Sequence, residues 1–139
     1  MVDTNIFIDY LADQQPFADC AEKIMVLCES SELTGFITAS CVTDIYYIMR
    51  KIIGHEKTME SLKLLFTVFE VADVGKTDLL RAMDEQMRDF EDALVAVCAK
   101  RVKAEHIITR NIGDFKKSPV SPVLPEDFIS RFFPDVDGE

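Results

Sequence analysis

Asp89-Phe90-Glu91-Asp92-Ala93-Leu94-Val95-Ala96-Val97-Cys98-Ala99 joins an acid cluster directly to an apolar run. Residues three apart share a helix face, so Asp89 and Asp92 stand one above the other. Leu94, Val95, Val97 and Cys98 continue as the buried stripe of a helix predicted over about 89–102. Carboxylates in a first turn suit the positive end of a helix dipole. They equally suit a hard divalent cation, which takes oxygen ligands. The choice between cap and ligand depends on where the other acids fall.

Outward from this helix, short apolar runs alternate with helical ones. Downstream, Ile107-Ile108-Thr109 reads as a strand, residues 110–117 as a loop, and 120–123 as an edge strand, because Pro119 and Pro122 exclude it from a sheet centre. A last helix spans 125–132, and an acidic tail frays from Asp135. Upstream, a short helix capped by Thr77 runs to about Met87, after a strand over 68–74. Earlier come a helix over 57–66, a helix over 41–53 capped by Ser40 and ended by Gly54, and a strand over 36–39. Pro16 starts a helix reaching Ser30. Residues 2–8 end a strand that turns at Asp3–Asn5 into a helical turn over 6–12. Only Met1 and Val2 precede that turn, so either the strand is very short or residues are missing ahead of Met1. Strands alternating with helices imply a parallel sheet covered on both faces, here within a single domain over 1–134.

Composition bounds the function. Apolar content of 48% and charged content of 29% describe an ordinary globular chain. No apolar run approaches the ~18 residues of a membrane helix, so the expected location is soluble and cytoplasmic. Cys20, Cys28, Cys41 and Cys98 form no C-x-x-C pair and read as small core residues in a reducing compartment. The net charge of −10 argues against a protein that binds nucleic acid by counterion release alone. It leaves an ordinary solubilising surface, or acids gathered where cations cancel their charge.

In parallel α/β folds, ligands gather outside the carboxyl ends of the strands. Asp3 ends the first strand, and Asp114 lies in the loop after Ile107-Ile108-Thr109. Asp44 and Asp92 lie in the first turns of helices that enter from the same edge. Clustered like charges raise one another's pKa unless a cation sits among them. Hard oxygen ligands with open positions select Mg²⁺ or Mn²⁺. Such a site hydrolyses phosphodiesters without a Ser, Cys or His nucleophile, and the chain offers no G-x-S-x-G, phosphate loop or informative Cys/His pair.

Four motifs in order then resemble PIN-domain proteins, in particular the compact ribonucleases that act as VapC-type toxins. They are Val2-Asp3-Thr4-Asn5-Ile6-Phe7-Ile8-Asp9, Thr43-Asp44-Ile45-Tyr46-Tyr47-Ile48, Asp89-Phe90-Glu91-Asp92-Ala93-Leu94, and Ile108-Thr109-Arg110-Asn111-Ile112-Gly113-Asp114-Phe115. The resemblance implies a three-layer α/β/α sandwich with a short central parallel sheet. It also implies metal-dependent RNA cleavage with Mg²⁺ or Mn²⁺ on Asp3, Asp44, Asp92 and Asp114. Asn5, Asp89 and Thr109 take supporting roles. The second acid is more often Glu in the family, so Asp44, one methylene shorter, departs from the pattern. A toxin of this kind would pair with a protein antitoxin whose basic side chain enters the acid pocket.

Other residues divide between site and surface. Arg110 is a bidentate donor for an RNA phosphate, or a partner for Asp114 or Asp92. Asp9 reads as a solvated helix residue, Tyr46 as packing, and His106 as a surface residue. Apolar faces over 57–66 and 79–87 suggest a homodimer. Two further functions compete with the nuclease: a non-catalytic module of the same fold whose acid pocket docks a basic partner, and a phosphatase using Asp3 as nucleophile. Asn5 stands where the phosphatase needs a second acid.

Overall fold

The computed structural model describes residues 1–136. The elements are α1 (Thr4–Leu11), α2 (Ala18–Glu29), β1 (Phe36–Thr38), α3 (Ala39–Ile53), α4 (His55–Val68) and β2 (Glu70–Ala72). They continue with α5 (Lys76–Asp84), α6 (Phe90–Arg101), β3 (Ile107–Ile108), β4 (Pro122–Val123) and α7 (Pro125–Phe132). Strand β1 pairs in parallel with β2, and β3 with β4. The opening residues join the two pairs. Val2 N–H donates to Phe36 O (2.9 Å), Asp3 N–H to Ile108 O (3.0 Å), and Ile108 N–H to Met1 O (2.8 Å). The strand layer therefore runs β2, β1, residues 1–3, β3, β4, and every assigned pairing is parallel. The very short first strand is its middle, and helices complete an α/β/α sandwich.

Helix α6 is buried all round. Every residue from Ala93 to Ala99 is buried, so the expected single stripe is a whole cylinder. It packs against α5, β1 and the 3₁₀ turn Ile112–Phe115. On the other side of the chain's packing, α1 meets α2 and α3, α3 meets α4, and α2 meets α7.

Several boundaries differ from the sequence reading, each for a local reason. Helix α4 runs on to Val68, because Leu62 and Leu65 bury at helical spacing and Phe69 N–H closes the last turn on Leu65 O (2.8 Å). That leaves β2 three residues, the length its partner β1 can pair. The cap of α3 is Thr38, whose Oγ1 accepts from Cys41 N–H (3.2 Å), and not Ser40. The cap of α5 is Gly75, not Thr77; Asp78 reaches back and accepts from Gly75 N–H (3.0 Å). Helix α5 stops at Asp84 rather than Met87, since the chain must reverse to pack α5 on α6. Strand β4 is the edge that its prolines require. A 3₁₀ turn (Pro134–Val136) follows α7, and the rest of the acidic tail, 137–139, lies outside the described residues.

Candidate active site

A cleft of about 380 Å³ opens where the segments leave the carboxyl ends of the strands. Its walls include Asp3, Thr4 and Asn5 from the start of α1, Cys41, Asp44 and Tyr47 from α3, Glu91 and Asp92 from α6, and Asn111 after β3. Three of the four predicted aspartates thus share one cleft. Asp114 does not line it. That side chain is exposed in the 3₁₀ turn, close enough for its charge to raise the pKa of Asp3 and of Asp92.

Asp3 is the most constrained of the four. It is buried and caps α1, accepting from Thr4 N–H through Oδ1 (2.9 Å). Thr109 Oγ1 donates to its Oδ2 (2.9 Å) and itself accepts from Asn111 N–H (3.0 Å). One carboxylate oxygen is therefore held by a backbone N–H, and the other by a hydroxyl that a backbone N–H holds in turn. Burial pushes the Asp3 pKa up, and the two hydrogen bonds pull against it.

Asp89 and Asp92 separate as the helix geometry requires. Asp89 is the N-cap of α6, its Oδ1 accepting from Asp92 N–H (3.0 Å). Asp92, one turn on, faces the cleft. Burial, then the charges of Asp3, Asp89, Asp114 and Glu91, push its pKa up to about 7. The charge of Asp44, then burial and the charge of Asp89, raises the pKa of Glu91; both Asp44 and Glu91 line the cleft.

Two expectations are overturned here. Asp9 is not solvated; it is fully buried. Arg110 pairs with Asp9, not with Asp114 or Asp92: Nε donates to Oδ2 (2.7 Å) and a terminal nitrogen to Oδ1 (3.0 Å). Its guanidinium also lies over the Phe17 ring, 4.0 Å from the centroid. Glu91 and Asn111 are cleft residues that the sequence reading passed over. Glu91 adjoins Asp92 in the first turn of α6, and Asn111 lies two residues past Thr109, which was the available signal. His106 is half-buried, its ring against Phe128 and Phe132. Tyr46 packs, its hydroxyl 2.8 Å from His55 Nδ1.

The donor set tests the implied metal. Among the described residues, no three His, Cys, Asp or Glu side chains stand close enough to hold one ion directly. The four aspartates are therefore not a ready-made cage. A hydrated Mg²⁺ needs only one or two carboxylates and keeps waters elsewhere. The all-oxygen donors of Asp3 and Asp92, with Asn5 and Asn111 beside them, fit that demand. Cys41 lines the cleft, and burial pushes its thiol pKa up, which disfavours the thiolate.

A sequence profile described as PIN domain matches residues 1–113. The chain belongs to the PIN-domain family. It is 21% identical over 136 residues to Ribonuclease VapC1 of Aquifex aeolicus (strain VF5), covering 94% of this chain and 93% of that one. Among solved structures, VapBC2 from Rickettsia felis bound to a promoter DNA fragment superposes with a TM-score of 0.67 at 18% identity, over 89% of this chain and 96% of that one. A toxin–antitoxin complex from Klebsiella pneumoniae gives 0.66 at 20% identity, over 89% and 95%. FitAB bound to the IR36 DNA fragment gives 0.65 at 16% identity, over 89% and 93%. The family's fold is the sandwich described above. Among the described residues, no helix is long and apolar enough to cross a membrane.

Proposed function

We propose that the chain is a Mg²⁺- or Mn²⁺-dependent endoribonuclease, the toxin of a toxin–antitoxin pair. One observation carries the reading: Asp3, Asp44 and Asp92 converge in one cleft at the carboxyl edge of the strands. Relatives named as a ribonuclease and as toxin–antitoxin complexes support it.

Asp3 and Asp92 would hold the ion, and Asp44, Glu91 and Asp114 would act from further out. A bound divalent ion supplies an activated water for in-line attack on phosphorus and neutralises charge on the phosphate. The chain's own residues do the rest. Thr4 N–H and Thr109 Oγ1 orient the Asp3 carboxylate, leaving little freedom to lose on binding. Asp92, its pKa pushed up to about 7, would give up its proton on holding a divalent ion. The exposed Tyr47 ring on the cleft wall gives an unpaired base a stacking face. Arg50, 5.7 Å from that ring's centroid, supplies a cation for phosphate in place of Arg110, whose fork is engaged by Asp9. The products would be a 5′-phosphate and a 3′-hydroxyl.

The partners follow from the same surfaces. RNA is the substrate. A protein antitoxin placing a basic side chain in the acid cleft would neutralise it. Exposed Leu64, Phe66, Leu80 and Met83 on α4 and α5 support a homodimer. A second reading keeps the cleft as a non-catalytic dock for a basic partner. The lack of three ligand-spaced acids among the described residues favours it.

Asp3→Asn and Asp92→Asn decide between them. Each should reduce cleavage of labelled RNA by on the order of 10²–10³-fold, the scale of removing one preorganised electrostatic group from a reaction centre, with folding intact by circular dichroism. Wild-type-like cleavage in both would sink the nuclease. Calorimetry without detectable Mn²⁺ binding at millimolar levels, together with tight binding of a partner, would select the dock.

A further inference from the structure

Two acids, Asp3 at the cap of α1 and Asp9 within it, are each gripped by one of two consecutive residues after β3. Thr109 holds Asp3, and Arg110 holds Asp9 through both carboxylate oxygens. We infer that the Asp9–Arg110 pair is a positioning device for the Asp3 carboxylate and not an RNA contact. The inference rests on the reading of the acid cleft as the nuclease site.

The geometry argues it in three steps. Asp9 is fully buried, and a buried carboxylate stripped of its cation is strongly destabilised, so the pair is obligatory for this packing. Asp9 lies six positions after Asp3, roughly 9 Å along a helix axis. The segment 109–111 is thus tied to α1 at two separated points. One tie would let it pivot; two fix the direction of the Thr109 hydroxyl. That hydroxyl donates to Asp3 Oδ2 while accepting from Asn111 N–H, so any pivot of the segment reaches both Asp3 and the cleft residue Asn111. Finally, the guanidinium is occupied on its fork by Asp9 and on one face by Phe17. A phosphate would have to compete with a buried carboxylate for it. A lysine at 110 offers a point charge without the fork and would not lock the angle.

The test uses Asp9→Asn, Arg110→Gln, the conservative Arg110→Lys, and the double variant D9N/R110Q, with the full chain. Amide hydrogen exchange is read at Thr4 and Asn111, whose N–H groups bond to Asp3 Oδ1 and Thr109 Oγ1. Glu70, whose N–H bonds to Gly35 O in the strand layer, serves as reference. Exchange should accelerate at Thr4 and Asn111 in every variant while Glu70 keeps its protection. Mn²⁺ affinity and kcat should fall together by roughly 10–100-fold, the usual range for a residue acting through a ligand. KM for RNA should hold, and the double variant should be no worse than either single. Uniform loss of protection including Glu70, with Mn²⁺ affinity unchanged, would reduce the pair to a fold element and overturn the inference. So would a raised KM in Arg110→Gln beside a neutral Asp9→Asn, which would return Arg110 to the substrate. If wild type cleaves no RNA, the nuclease reading fails by itself, and the exchange arm still decides whether the pair positions Asp3.

Discussion

The two ends of the strand layer carry clefts of nearly equal size and different charge, one lined by charged groups of both signs and the other by acids alone. At the carboxyl end, about 380 Å³ is walled by Asp3, Asp44, Glu91 and Asp92. At the amino end, about 390 Å³ lies among Phe36, His106, Phe128 and Phe132, with Glu32, Lys103 and Glu105 also in its wall. Volume therefore does not distinguish a candidate site in this molecule. The segments entering the strands bring aromatic packing, with His106 5.7 Å from the Phe128 ring and 5.2 Å from Phe132. The segments leaving them bring carboxylates, a helix cap and shifted pKa values. One end secures the fold, and the other stores unfavourable charge that a cation would relieve.

The sharpest way to break this contrast is from the amino end. Phe128 is buried and its ring meets those of His106, Phe132 and Phe133. Phe128→Ala should lower stability by about 3–5 kcal/mol, as large aromatic truncations in cores do. Urea unfolding measures it. RNA cleavage per folded molecule, scored below the melting range, should stay within about twofold of wild type, since the change removes packing remote from the reacting groups. A selective loss of cleavage there would mean that the two ends are coupled and the division is wrong.

Within the carboxyl end, Asp89 and Asp92 sharpen the contrast further. Asp89→Ala removes the side chain that accepts from Asp92 N–H. Its expected effect is about 1 kcal/mol of stability, the usual worth of an N-cap, with only a partial fall in rate. Loss of cleavage as complete as in Asp92→Asn would show that Asp89 is more than a cap.

This distribution also explains what the sequence displayed. Positions of Asp3, Asp44 and Asp92 were legible because each follows or opens an element whose period is local: a strand end, or the first turns of a helix. The sandwich was legible for the same reason, from strands alternating with helices. The Asp9–Arg110 pair was not. Its partners are 101 residues apart, and a charge late in a short helix looks solvated until the packing is known. The cap at Thr38 was missed because Ser40, two residues on, carries the same capping hydroxyl, and the cap at Gly75 because a glycine shows no capping side chain whereas Thr77 does. Helix α6 read as a stripe because one-sided burial is the commoner case; here α5, β1 and the 3₁₀ turn all pack on it.

The smallest expected effect concerns the charge stored at the carboxyl end. In the unfolded chain the Asp92 carboxyl gives up its proton near 3.8, whereas in the folded protein it keeps it to about 7. Between those values the folded state binds more protons, so this group's contribution to stability is full below 3.8 and declines as pH rises toward 7. Asp3, whose pKa is also raised by burial, acts with the same sign. The metal-free protein in chelator should therefore lose stability from this pair as pH rises through that window. Asp92→Asn carries no titrating proton at that position, so its stability should fall less over the same range. Thermal unfolding of both proteins at matched pH values gives the difference, which contains the Asp92 titration together with its coupling to the neighbouring carboxylates. Parallel curves would mean that Asp92 is not held in a crowd of carboxylates, and the chemical contrast between the two ends would lose its main electrostatic support.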